Sequence, residues 1–164
     1  MRLSLVTLAL ISTSLSAQQP AHDSSQHNRH VQDSAFAQVQ RRGAGVMGVD
    51  QYTSKHVFEP LSDGGRIELQ RSVDDSAGVE QIRRHLAEVA GQFAQGVFTA
   101  PFLVHDTIVP GTRVMADKRR VISYTVRPLP RGGEIRIASR DPAALAAIHE
   151  FLAFQRSDHR AGAH

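Results

Sequence analysis

The sequence predicts an α+β fold: two ββα units whose strands join into one four-stranded antiparallel sheet, with both helices on one face. Three observations lead there. Pro60 to Ile67 reads PLSDGGRI and Pro128 to Ile135 reads PLPRGGEI, a match in Pro-Leu, Gly-Gly and Ile at an offset of 68 residues. Each copy joins two extended runs through a polar, Gly-containing stretch, the mark of a hairpin. Each hairpin then precedes a segment whose apolar residues recur with the 3.6-residue period of a helix.

The elements follow in chain order. Arg2, an apolar run from Leu3 to Leu15 and the small residue Ala17 have the make-up of a cleaved export signal over residues 1–17. The run falls short of the about 20 apolar residues that cross a bilayer, so no membrane span is expected after cleavage. Residues 18–46 are polar and aperiodic and are expected to be a flexible leader. Within them Gly43 to Gly48, GAGVMG, matches the letters of a dinucleotide-binding loop, but no strand precedes it and no helix is expected after it.

A single α+β domain is expected over 47–159, with a disordered tail at 160–164. Its first unit pairs TSKHVFEPL with GRIELQRS across Ser62-Asp63-Gly64-Gly65. Asp75 or Ser76 then caps a helix carrying Val79, Ile82, Leu86, Val89 and Phe93 on one stripe, and Gly96 stops it. The second unit pairs VISYTVRPL with GEIRIAS. Asp141 as N-cap and Pro142 at the first helical position open a helix with Leu145, Ile148, Phe151 and Leu152 inward. The connector between the units is broken by Pro101, Pro110 and Gly111, with one short helix expected over 112–118.

Composition narrows the function. The chain has no cysteine, so its core holds without disulfides and a lipid anchor on Cys is excluded. The formal charge of +3 is spread along the chain and leaves no nucleic-acid footprint. No G-x-S-x-G elbow, P-loop or nucleophilic cysteine is present. His149 to Ala153, HEFLA, begins like a zincin motif but lacks the second histidine at i+4. The chain reads as a non-enzymatic, periplasmic or secreted binding domain.

The histidines supply the binding chemistry. At the offset of 68, His56 corresponds to Tyr124 and Phe58 to Val126, and period-two alternation puts His56 on the helix-covered face with Phe58. His85 borders the apolar stripe of the first helix, and His149 holds a similar place on the second. His56, His85 and His149 are therefore the expected inner set, with His105, Met115 and His159, and also Met47, able to join. Imidazoles with a thioether suit copper in an oxidising compartment, and three imidazoles with an open position suit zinc. The competing reading makes each ring a core residue satisfied by a backbone carbonyl or carboxylate. The leader's His22, His27 and His30 add a loose second set. From a different class, the chain reads as a metal-free periplasmic interaction module that meets a protein partner.

Five stretches carry a resemblance: MGVDQYTSKHVFEPLSDGGRIEL, IRRHLAEVAGQFAQGVF, VHDTIVPGTRVM, ISY with RGGEIRI, and AIHEFLAFQRSDH. Together they resemble a family of small exported bacterial proteins of uncharacterised function, over about 47–159. That resemblance implies two consecutive histidines where this chain has Lys55 and His56. An aspartate carbamoyltransferase label carried by some relatives does not suit this chain, which is too short and lacks a Ser-x-Arg-Thr loop for carbamoyl phosphate.

Overall fold

The computed structural model describes residues 24–48 and 50–161; the expected export signal lies outside them. Two hairpins build the sheet. β1 (Ser54–Leu61) and β2 (Gly64–Arg71) turn through Ser62-Asp63, and β3 (Ile122–Leu129) and β4 (Gly132–Ser139) turn through Pro130-Arg131. The order is β1-β2-β4-β3, antiparallel throughout, with Ile67 opposite Ile135 at the centre.

The repeated Gly-Gly opens β2 and β4 instead of making the turns. Its reason is close approach. A Cβ on Gly64 would lie 2.0 Å from the Ile137 carbonyl oxygen, and one on Gly132 would lie 1.9 Å from that of Leu69. Only glycine lets each hairpin tip press against the neighbouring central strand. The second glycine of each pair receives a helix: Leu152 sits over Gly65 and Leu86 over Gly133.

Those helices are α2 (Ser76–Ala94) and α5 (Pro142–Asp158), and both start as the sequence predicts. Asp75 accepts from the Gly78 amide and Asp141 from the Ala144 amide, at 2.9 and 3.0 Å. α2 packs on β3 and β4, and α5 on β1 and β2. Their buried stripes, Ile82, Leu86 and Phe93 against Ile148, Phe151 and Leu152, close over Ile67, Leu69, Ile135 and Ile137. The α+β architecture with a four-stranded antiparallel sheet is as expected.

The connector holds more helix than its prolines suggest. α3 (Thr99–His105) has Pro101 in its first turn, where the missing N–H is not needed. It ends on Asp106 in the left-handed region, φ 55°. α4 (Thr112–Asp117) matches the expected short helix.

The leader is corrected. Residues Ser24–Met47 form a helix, α1, not a flexible segment. Of its buried positions, Val39, Gly43 and Met47 lie at i, i+4 and i+8, a helical stripe whose middle residue has no side chain to reveal it, and the fourth is the polar Gln40. Arg42 Nε donates to the Val104 carbonyl at 2.6 Å and ties α1 to α3. The expected loose tail is also held where it is described: Arg160 pairs with Asp33 at 2.9 Å and covers the Phe36 ring.

Candidate functional site

A cavity of about 80 Å³ lies where α2, α3, α5 and the end of α1 meet β1 and β2. Its walls are apolar, including Phe58, Leu69, Val89, Phe93, Val104 and Phe151. Its polar side is a cluster of four histidines: His56, His85, His105 and His159. Each is placed by a different local rule. Strand alternation turns His56 inward beside Phe58, and His85 flanks the stripe of α2. His105 ends α3, and His159 is the C-cap of α5, its amide bonded to the Gln155 carbonyl at 3.0 Å.

Three of the four rings are in contact through His159. His56 and His159 have centroids 5.0 Å apart and planes inclined by 22°, and His105 meets His159 edge-on at 5.1 Å. His105 is fully committed: Nδ1 contacts Asp158, and Nε2 contacts Oε1 of Gln155 at 2.9 Å. It acts as a fixed post against which His159 rests.

His56 and His159 differ in that respect. Nε2 of His56 and Nδ1 of His159 are buried and have no hydrogen-bond partner in the protein. Buried imidazole nitrogens normally find one. Burial, helped by the nearby His85, lowers the His56 pKa to about 4. Burial also lowers that of His159 strongly, with His56 and His105 adding to the effect, and lowers that of His85 against the opposing pull of Glu88. At neutral pH His56, His85 and His159 are therefore neutral, each with a nitrogen lone pair.

Two expected members stand elsewhere. His149 faces the first hairpin, where Nε2 lies 2.9 Å from the Leu61 carbonyl and 3.0 Å from that of Gly64. Arg83 does the same work in the other half, donating to the Leu129 and Gly132 carbonyls at 2.9 and 3.0 Å. Arg83 and His149 each sit eight residues after their capping aspartate. The His149 ring is a hairpin clamp, and the set of His56, His85 and His149 is not assembled. Met115 is wholly buried in the core and does not line the cavity; Met47, at the end of α1, does. Among the described residues no group of three or more His, Asp or Glu is arranged to hold a metal ion.

Gln155 and Asp158 were not legible as site residues. A signal for this end of α5 exists in the repeat. Counted from Asp75 and Asp141, Gln155 takes the place of Val89 and His159 that of Phe93, both inward positions of α2. Comparison of the chain with family models, curated proteins and solved structures gives no match.

Proposed function

We propose that the protein is an exported, non-enzymatic binding domain that takes one very small ligand into the histidine-sided cavity. The observation that carries this reading is the pair of buried, unpartnered nitrogens on His56 and His159, whose rings stack at the edge of one apolar space. Leaving such an atom unpaired costs about 1–3 kcal/mol, which a ligand that supplies the partner would recover. Volume limits what that ligand is. About 80 Å³ is roughly half of the ~150 Å³ engineered cavity that admits benzene, and far below the ~300–1,000 Å³ of drug-sized pockets. An ion or a molecule of a few atoms suits that space. Export is supported by the N-terminal sequence and by the family resemblance.

Xenon NMR tests the cavity without prejudging the ligand. The wild type is expected to bind xenon, and Ala100→Leu, which adds bulk to the cavity wall, is expected to lose it. A wild-type chain that takes up no xenon contradicts the reading.

One observation favours the interaction-module alternative. Val97, Phe102, Leu103 and Ile108 expose 41–54 % of their surface around the connector. Phe102→Asp and Ile108→Asp separate the two readings, because neither residue lines the cavity and ligand binding is expected to survive both.

A further inference from the structure

We infer that the ligand of this cavity is copper(I), bound by Nε2 of His56 and Nδ1 of His159, with the Met47 thioether as third donor; the inference rests on the cavity reading above. Donor chemistry comes first. The lining offers imidazoles, the Gln155 amide and one thioether, and no Asp or Glu lines the cavity among the described residues. Asp158 is engaged by His105, and Glu88 acts on His85 from outside the lining.

Charge then decides between metals. The cost of moving an ion out of water rises with the square of its charge, so a divalent ion with only neutral ligands meets roughly four times the penalty of a monovalent one. Zinc also asks for a tetrahedral set, commonly completed by carboxylate or thiolate, and the described residues present no such cluster. Copper(I) is monovalent, prefers soft and neutral donors, and is satisfied by two or three of them.

The surroundings also allow loading. His56 and His159 line a second, outer cleft of about 460 Å³ beneath α1, bordered by Gln40, Ser54 and Lys55. The pair thus lies between the outer cleft and the apolar space. With planes only 22° apart, the two rings share an ion only when one of them turns, and the outer cleft gives it the room. His105, pinned by Asp158 and Gln155, is a positioning residue that limits how far His159 turns.

The experiment is an anaerobic titration of the full chain against copper(I) held by bicinchoninate, in a background where His22, His27 and His30 are changed to Asn. One equivalent is expected to be withdrawn. His56→Ala and His159→Ala are expected to weaken binding at least ~100-fold, Met47→Leu roughly tenfold, and His149→Ala not at all. His159→Phe, which keeps the ring volume, serves if the alanine variant does not fold. Copper binding that is unmoved in both His56 and His159 variants, or zinc(II) bound as tightly as copper(I), overturns the inference. If no copper(I) is withdrawn but xenon still enters the wild-type cavity, the choice of ligand is wrong and the cavity reading stands. If neither binds, both fall.

Discussion

Where α2 crosses β3, Phe93 meets Tyr124 edge-on at 5.8 Å; where α5 crosses β1, His159 meets His56 at 5.0 Å. These are the same positions of the repeat. Tyr124 lies 68 residues after His56, and Phe93 and His159 each lie 18 residues after a capping aspartate. The hairpins, the glycine pairs, the leucines over them and the clamps on the turns all agree between the halves. The ring pair does not. One half fills it with Phe93 and with Tyr124, whose hydroxyl is also buried without a protein partner, and the other with two imidazoles that each carry such a nitrogen. The duplication repeats a scaffold, and the proposed binding chemistry sits where the repeat is broken. Places where a sequence breaks its own rule without local gain are where function is expected.

The largest effect that sharpens this contrast comes from truncating the aromatic side. Phe93 is 1 % exposed and packs on Phe98, Tyr124 and Phe151, so Phe93→Ala is expected to lose about 3–5 kcal/mol in denaturant unfolding. His159→Ala at the matching position is expected to lose far less. Equal losses would mean that the imidazole side is ordinary core.

Acid comes next. His56 titrates at about 4 in the fold, against about 6.5 in the unfolded chain. As pH falls below 6.5 the unfolded state takes up a proton that the folded state refuses, so stability is complete above that pH and drains away down to about 4. The loss from this ring is on the order of 3 kcal/mol. It is checked by comparing urea midpoints with His56→Phe, in which this part of the slope is expected to vanish. An unchanged slope would place His56 in water.

The clamps should behave as twins. His149→Ala and Arg83→Ala are each expected to lose about 1–2 kcal/mol by releasing two turn carbonyls, with no change in copper(I) withdrawal. A smaller effect of opposite sign is expected when the site is rewritten as its partner. His56→Phe with His159→Phe removes both orphan nitrogens and is expected to gain about 1 kcal/mol in thermal unfolding while abolishing binding. A double variant that loses stability would show that the imidazoles support the fold.

The halves also explain how much was legible in the sequence. Hairpins, caps and the inward side of His56 follow from local rules, namely two-residue turns, Asp before a helix and strand alternation. α1 escaped because Gly43 leaves a gap in its stripe, and α3 because Pro101 looks like a breaker when it stands in a first turn. His149 was misplaced because bordering an apolar stripe allows either of two directions, inward or toward the hairpin. Only the match to Arg83 decides between them. The junction of His105 with Asp158 and Gln155 joins residues about 50 positions apart and has no local signature.

Side-chain nitrogen NMR of histidine-labelled protein, recorded as copper(I) is added, tests the central claim most directly, because copper(I) is diamagnetic and every ring reports separately. The account predicts that Nε2 of His56 and Nδ1 of His159 shift together and saturate at one equivalent, while His149 stays where it was. Shifts confined to His149 or to the N-terminal histidines, with His56 and His159 unmoved, would contradict it.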